Sequence, residues 1–284
     1  MTGIGLMCAA VFCFALLDTT AKWLSSRMDT IQVIGARFAV HFLLSFVVLN
    51  PWTVPGLLRT QRPWLQLGRS ALLLGATGFN FAALRFLQLD QTAAIMFTTP
   101  FLVAGLAGPI LGEWLDWRRW TAIGIGFTGV LLVTRPGAAG IHPAAAFSLL
   151  AATCTALYSI ATRKLASCDR TETTSFYSSV VGTVAAAIPM AMVWTTPSRL
   201  STVVGLVAVG ALGWVGHWML IAAHRHAPAP VLAPFSYAQM IWMTMAGAIV
   251  FGHLPSAWTV AGAAVVFGSG FYLLTRQRWS RQVA

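Results

Sequence analysis

The sequence predicts an all-α integral membrane protein whose ten transmembrane helices form two inverted five-helix repeats, with both termini in the cytoplasm. The first observation behind this prediction is composition. Of the 284 residues, 57% are hydrophobic and 9% are charged, against about 25% charged in an ordinary soluble domain. The mean hydropathy is +0.75. Because a soluble core of this size does not use so much apolar surface, a lipid bilayer is the expected solvent.

The second observation is a succession of ten apolar runs. A helix needs about 20 mostly apolar residues to span a bilayer, with about 17 as the lower limit. The predicted spans cover residues 3–24, 31–50, 70–89, 93–111, 118–134, 144–165, 173–194, 201–223, 231–251 and 257–275. The longest connection, residues 51–69, is rich in Pro, Trp and Arg and is expected to lie along the membrane interface.

The third observation is an internal repeat. The signature Trp-Thr-x-x-Gly occurs at 120–124 and again at 258–262, an offset of 138 residues, and weaker matches recur at offsets of 138 and 141. Each unit holds five spans, and an odd number of crossings inverts the second unit relative to the first. The predicted division is a first repeat at 1–135, a second at 141–276, and a cytoplasmic tail at 277–284.

The orientation follows from the Lys and Arg residues in alternate connections, because cytoplasmic loops carry an excess of them. Twelve lie on one side: Arg59, Arg62, Arg69, Arg118, Arg119, Arg163, Lys164, Arg170, Arg225, Arg276, Arg278 and Arg281. Five lie on the other: Lys22, Arg27, Arg85, Arg135 and Arg199. The side with twelve is expected to be cytoplasmic.

Several classes of function are disfavoured by what the sequence lacks. The net charge is +11, but the basic residues stand singly or in small groups between apolar runs, so no nucleic-acid partner is expected. The four cysteines show no CxxC spacing, which disfavours a metal site or a disulfide framework. No phosphate-binding loop and no hydrolase or metalloprotease motif is present. We therefore expect neither an enzyme nor a cofactor.

Several features of the sequence occur together: two five-helix halves, Lys22 at the end of the first span, the Arg37-Phe38 pair, Pro100 in the fourth span, and the Gly112-Glu113 elbow. In these features the chain resembles the EamA-type drug/metabolite transporter family, and within it the YddG-like amino-acid and metabolite exporters. In the second half His253 replaces the elbow acid. The resemblance implies a multi-pass protein of a bacterial inner membrane, with a small-molecule substrate and the lipid bilayer as partners. A monomer is expected.

Asp18 is the only acidic residue well inside a predicted span. At that depth a charged side chain is costly unless it faces a cavity or another helix. It stands one helical turn before Lys22, and Arg37 lies at a similar depth in the second span. Two interpretations stay open: a carboxylate that binds substrate or senses protons, or a structural ion pair that joins the first two helices.

Other polar or aromatic residues at membrane depth are candidates for a substrate cavity, although each can also serve helix packing. Trp214, His217 and Trp218 have the i, i+3, i+4 spacing of one helix face. Pro100 in the fourth predicted span and Pro234 in the ninth predict broken helices, which suit substrate contact or gating. The substrate-binding candidates are Asp18, Phe79, Asn80, Thr98, Thr99, Tyr158, Ser159, Trp214, His217, Trp218, Tyr237 and Gln239. The gating or structural candidates are Lys22, Arg37, Pro100, Pro234 and Glu113, the last paired with Arg118 or Arg119.

The expected function is a secondary transporter that exports amino acids or related small metabolites by alternating access through a central cavity. A multidrug or nucleoside/sugar-type carrier of the same fold is the first alternative. An intramembrane enzyme that modifies lipid is the second. Movement of solute without formation of a product would distinguish a carrier from an enzyme.

Overall fold

The computed structural model describes residues 2–50, 52, 54–96, 98–114, 116–134 and 142–252, together with 257, 258, 260–262, 264, 265 and 268. Within these ranges the regular structure is entirely helical. The helices are α1 (Thr2–Ser25), α2 (Thr30–Leu49), α3 (Pro63–Phe86), α4 (Leu89–Met96), α5 (Thr99–Leu111), α6 (Trp117–Thr134), α7 (Ala145–Leu165), α8 (Thr171–Tyr177), α9 (Val180–Met192), α10 (Leu200–His226), α11 (Ala229–Leu232) and α12 (Ala238–Phe251), with a 3-10 segment at Ala233–Tyr237.

Among the described residues, five helical stretches are long and apolar enough to cross a bilayer: α1, α2, α7, α10 and the stretch Thr171–Met192. Large apolar side chains such as Val47, Val184 and Ile188 project from these helices with more than half of their surface exposed. In water such a surface would drive association, whereas lipid tails solvate it. The chain is a multi-pass membrane protein.

Helix α3 begins earlier than predicted. The third span was expected at 70–89, but the helix starts at Pro63, because a proline at the first helical position fits both its fixed φ and its missing N–H. Arg69 was predicted to lie in a cytoplasmic connection, and this prediction is wrong. It lies about two turns inside α3 and is fully buried.

The predicted fourth and ninth spans are both broken helices. The fourth consists of α4 and α5, with Pro100 in the first turn of α5. The ninth consists of α11, the 3-10 segment that contains Pro234, and α12. Both end in the same backbone geometry, since Gly112 and Gly252 take left-handed φ values of 72° and 71°. The predicted tenth span and tail lie largely outside the described residues.

Helices α1 and α10 pack against each other along their whole length. Gly205 of α10 faces Leu24 near the end of α1, and Gly216 faces Phe14 nearer its start. The two helices are therefore antiparallel, and glycines on α10 permit the close approach.

Helices α3 and α7 form a second antiparallel pair. Arg69 reaches Thr162 near the end of α7, and the ring of Phe79 stacks on that of Phe147 near its start, with ring centroids 6.4 Å apart. Each of the two pairs joins the first helix of one half to the third long helix of the other half.

Helix α2 approaches α9 and α10 through glycines. The ring of Phe38 lies against Gly182 of α9, and Val40 lies against Gly210 of α10. A Cβ atom at Gly210 would overlap that of Val40 and lie 3.1 Å from the carbonyl oxygen of Arg37. Because part of that contact is backbone, a side-chain rotation cannot relieve it.

We expect Gly210→Ala to lower the free energy of unfolding by about 1–3 kcal/mol through overpacking. Thermal unfolding in detergent measures the effect. Gly78→Ala is the matched control, because a Cβ atom at Gly78 of α3 meets nothing within 4 Å. Equal melting temperatures for the two variants would show that the α2–α10 contact is not tight.

Candidate functional site

A cavity of about 150 Å³ lies inside the bundle. Its walls come from α1, α2, α3, α5, α7 and α10 and from the broken ninth span. The sequence-predicted residues that line it are Asp18, Arg37, Asn80, Thr99, Pro100, Tyr158, Ser159, His217 and Gln239. Most of its remaining lining is apolar, with Phe14, Leu73 and Val103 among the contacts. Residues from both halves of the chain thus surround one space.

Asp18 is held by two amide side chains from distant parts of the sequence. Its Oδ1 accepts a hydrogen bond from Asn80 Nδ2 at 2.8 Å, and its Oδ2 accepts one from Gln239 Nε2 at 3.2 Å. The residue is 6% exposed. The carboxylate therefore links α1 to α3 and α12 while it faces the cavity.

The predicted ion pairs of Asp18 are not formed. Between described residues, no salt bridge joins Asp18 to Lys22 or to Arg37. The Lys22 ammonium donates instead to the carbonyl oxygens of Leu84 at 3.1 Å and Leu87 at 2.7 Å. Carbonyl groups at a helix C-terminus lack intrahelical partners and carry partial negative charge, which explains why the ammonium binds there.

Arg37 belongs to a chain of polar groups at the cavity wall. Its Nη2 lies 2.9 Å from His217 Nε2, and His217 Nδ1 lies 3.2 Å from the Tyr158 hydroxyl. That hydroxyl also accepts a hydrogen bond from Arg69 Nη2 at 2.5 Å. The ring of His41 stacks on that of His217, with centroids 6.0 Å apart. All five of these side chains are buried: Arg37, His41, Arg69, Tyr158 and His217.

The charge of Arg37 fixes the proton positions in this chain. A guanidinium donates only, so His217 Nε2 must accept, and the neutral imidazole then carries its proton on Nδ1. That N–H donates to the Tyr158 oxygen, which already accepts from Arg69. The Tyr158 hydroxyl hydrogen is therefore used by neither neighbour.

Arg69 was not among the predicted site residues, yet it is the largest fully buried side chain of the described residues. Its Nε donates to Thr162 Oγ1 at 2.7 Å, and its Nη1 donates to the Thr174 carbonyl and Ser178 Oγ, both at 3.0 Å. The proline at position 63 was the sequence signal that could have placed Arg69 inside a helix.

The three residues of the predicted aromatic face on α10 take different positions. His217 lines the cavity, but Trp214 does not, and Trp218 is 39% exposed. Consecutive helical residues point about 100° apart, so His217 and Trp218 cannot both face the cavity squarely. The buried stripe of α10 includes Gly210, Gly213 and His217, and Trp218 lies beside it.

The remaining substrate candidates lie outside the cavity lining. Phe79 stacks on Phe147, and Thr98 Oγ1 donates to the Ile95 carbonyl at 2.9 Å within the break of the fourth span. Tyr237 is buried and its hydroxyl donates to the Ile123 carbonyl at 3.3 Å. The backbone of Pro234 belongs to the 3-10 segment. Thr98 and Tyr237 thus belong to the broken spans, and Phe79 to the contact between α3 and α7.

A charged contact joins the two halves of the chain at one end of the bundle. Glu113, in the elbow after α5, pairs with Arg163 of α7 at 2.6 Å, and its second oxygen accepts the backbone N–H of Ala229 at 3.1 Å. Arg163 also donates to the His224 carbonyl at 2.7 Å. We call Glu113, Arg163 and Ala229 the elbow clamp. The side chains of Arg118 and Arg119, its expected partners, lie outside the described part.

Asp169 forms a second contact at the same end. Its carboxylate accepts from Thr60 Oγ1 at 2.5 Å, from the Gln61 backbone N–H at 3.0 Å and from Gln66 Nε2 at 2.8 Å. The loop between α7 and α8 is thereby fixed to the start of α3. Both contacts join the first half of the chain to the second.

Metal chemistry finds no support in the described ranges. They contain no group of three or more His, Cys, Asp or Glu residues that could hold a metal ion. The four cysteines are free thiols.

We expect Tyr158→Phe to lower the free energy of unfolding by about 1–3 kcal/mol, because two buried donors, from Arg69 and His217, lose their acceptor. Tyr177→Phe is the control, since the Tyr177 hydroxyl bonds the Leu58 carbonyl in an exposed setting. Thermal unfolding in detergent compares the two. If Tyr158→Phe costs no more than Tyr177→Phe, the Tyr158 hydroxyl does not stabilise the buried Arg69 and His217 side chains.

Comparison with known proteins gives a consistent result. Residues 1–135 and 142–275 match the model of the EamA-like transporter family. The S-adenosylmethionine uptake transporter of Rickettsia conorii is 25% identical over 98% of this chain and 94% of its own length. The riboflavin transporter of Rhizobium johnstonii is 27% identical over 95% and 90%.

Two further similarities concern transport and fold. The pseudopaline exporter CntI of Pseudomonas aeruginosa is 24% identical over 93% of each chain. A solved crystal structure superposes with a TM-score of 0.72 over 97% of this chain and 98% of that chain, at 21% identity, which concerns the fold alone. The cavity thus lies in a chain whose family model spans both halves, and the chain belongs to the EamA-like transporter family of drug/metabolite transporters.

Proposed function

We propose that the protein is a secondary transporter that exports amino acids or related small metabolites across a bacterial inner membrane. The observation that carries the proposal is the cavity inside the bundle, where the Asp18 carboxylate and the Arg37 guanidinium are buried without a salt bridge between them. A mostly apolar pocket with a few placed polar groups is typical of small-molecule sites.

The names of the relatives support a polar, small-molecule cargo. They include transporters of S-adenosylmethionine and riboflavin and an exporter of pseudopaline. S-Adenosylmethionine carries an amino-acid head group, which is the chemistry that a carboxylate and a guanidinium suit together. It is therefore a second candidate substrate, in the uptake direction.

Many alternating-access transporters move one structural repeat against the other around the site, and the helix packing supports two such repeats in this chain. The α1–α10 pair corresponds to the α7–α3 pair if the second half repeats the first. Helix α2 packs against α9, its counterpart in the other half, where the ring of Phe38 meets Gly182, and Gln32 of α2 hydrogen-bonds Thr195 just after α9. A two-fold axis in the membrane plane that passes between α2 and α9 would relate all three pairs.

The elbow clamp is a suitable gate on the side with more basic residues, which we propose to be cytoplasmic. It joins α5 of the first half to α7 and α11 of the second, next to the ends of the helices that line the cavity. When Glu113 separates from Arg163 and Ala229, the bundle would open at this end.

Asp18→Asn should reduce transport by about tenfold or more, because a charge-assisted contact to substrate is lost while the side-chain shape is kept. Proteoliposomes measure flux of labelled methionine, threonine and S-adenosylmethionine in both directions, with and without a pH gradient.

Glu172→Gln serves as the matched control, since Glu172 lies outside the cavity and makes only a long contact of 3.7 Å with Arg170. A wild-type rate for Asp18→Asn would exclude a substrate role for the carboxylate. Absence of flux for every solute would contradict the proposal, and a chemically altered solute would favour an enzyme instead.

Glu113→Gln should weaken the elbow clamp by about 1 kcal/mol and raise the population of molecules open at this end roughly fivefold. The reporter is Thr155→Cys, a cavity position, in a background where the four native cysteines are replaced by serine. Labelling by a membrane-impermeant maleimide in inside-out vesicles should become faster.

The control for this experiment is again Glu172→Gln, which removes the same charge at a residue that makes no contact with the elbow clamp. Equal labelling rates in the two variants would show that the elbow clamp does not restrict access. Faster labelling from the opposite side would show that the predicted orientation is inverted.

A further inference from the structure

The cavity is lined by two side chains of opposite charge that form no direct salt bridge with each other. Asp18 and Arg37 both line it, they are 6% and 2% exposed, and no salt bridge joins them. A buried charge is costly unless it is paired or well hydrogen-bonded. Each of the two is therefore able to accept an oppositely charged group from outside the protein.

Arg37 retains hydrogen-bond donors without acceptors. One nitrogen, Nη2, bonds His217 at 2.9 Å, whereas Nε and Nη1 are buried and have no hydrogen-bond partner. A guanidinium carries five N–H donors, and buried donors without partners are exceptional in native proteins. A purely structural arginine would have acceptors for these two nitrogens, so the hydrogen bonding of Arg37 is incomplete within the protein itself.

Tyr158 supplies a second donor beside Arg37. Its oxygen accepts from Arg69 Nη2 and from the Nδ1–H of His217, so its own hydrogen is not used by either of them. Tyr158 also lines the cavity. Arg37 and Tyr158 together form a set of donors linked through His217, and such a set suits a carboxylate.

Asp18 offers free acceptor sites, whereas Arg37 and Tyr158 offer free donors. Its two oxygens each accept one hydrogen bond from an amide, Asn80 on one side and Gln239 on the other. A carboxylate offers about four lone-pair sites, so roughly two remain for further donors. An ammonium group has three N–H donors and no acceptor, which fits these sites.

We propose that the cavity binds a zwitterion, with its carboxylate on Arg37 and Tyr158 and its cationic group on Asp18, as in an α-amino-acid head group. This inference deepens the proposed function and rests on it. It makes Arg37 and Tyr158 specificity-determining residues for the anionic end of the substrate. Arg69 has no such role, because each of its three nitrogens already has an acceptor.

The experiment measures binding by purified protein in nanodiscs. The three probes share one side chain and differ in charge: L-methionine is a zwitterion, N-acetyl-L-methionine an anion, and L-methionine methyl ester a cation. Wild-type protein should bind the zwitterion most tightly. Arg37→Gln should weaken binding of the zwitterion and the anion about tenfold or more and leave the ester within about twofold.

Asp18→Asn should give the opposite pattern, with weaker binding of the zwitterion and the ester and unchanged binding of the anion. Arg85→Gln and Glu172→Gln are matched controls, since each makes the same chemical change at a residue that does not line the cavity. If Arg37→Gln does not elute as monodisperse protein, Arg37→Lys replaces it. Lysine keeps the charge but loses the planar fork, so only the two carboxylate probes should weaken.

An equal loss for all three probes in both variants would overturn the assignment, because it would indicate a structural role. Failure of the wild-type protein to bind any of the probes would overturn it as well. The charge pattern in binding together with no flux in proteoliposomes would support the two subsites and contradict transport. Flux without the charge pattern would support transport and contradict the subsites.

Discussion

The structure depends on the burial of arginine side chains between the two halves of the chain. A guanidinium cannot lose its proton in a protein, so it must keep hydrogen-bond acceptors when it leaves water. Arg69 of α3 finds all of its acceptors in the second half, at Tyr158, Thr162, Thr174 and Ser178. These bonds fix α3 against α7 and α8, and through Tyr158 they also set the orientation of the cavity wall.

Arg37 differs from Arg69 in a way that separates scaffold from site. Arg69 is satisfied by neutral oxygens, whereas Arg37 has one bond to His217 and two nitrogens without partners. A nearby carboxylate exists in Asp18, but two amide groups hold it instead. If Asp18 and Arg37 formed a direct salt bridge, each would lose its capacity for a charged solute. Neutral amide donors therefore stabilise the carboxylate without consuming its charge.

The sequence predicted the features that depend on hydropathy and on local backbone chemistry. Apolar runs located most helices to within a few residues, and Pro100 and Pro234 correctly marked broken spans. Side-chain partners were harder to predict. The i, i+4 spacing put Lys22 next to Asp18, but Lys22 binds the free carbonyls of α3 instead.

The partners of Asp18 are 62 and 221 positions away in the sequence, and only the tertiary fold brings them together. Arg69 was missed because its neighbours suggested an interfacial loop.

The two ends of the bundle are held by different chemistry, and this difference bears on the energetics of alternating access. Lys22 and Arg163 correspond in the proposed repeats, and both donate to carbonyls at the end of the third long helix of their own half. Arg163 also pairs with an acid, Glu113 of the first elbow, whereas the matching elbow position in the second half is His253 in the sequence. The opposite end has the neutral contact between Gln32 and Thr195. Inverted repeats of identical sequence would favour both states equally, so the replacement of the elbow acid by His253 in the second half makes the two states differ in energy, and the Glu113–Arg163 pair stabilises the state in which the elbow clamp is closed.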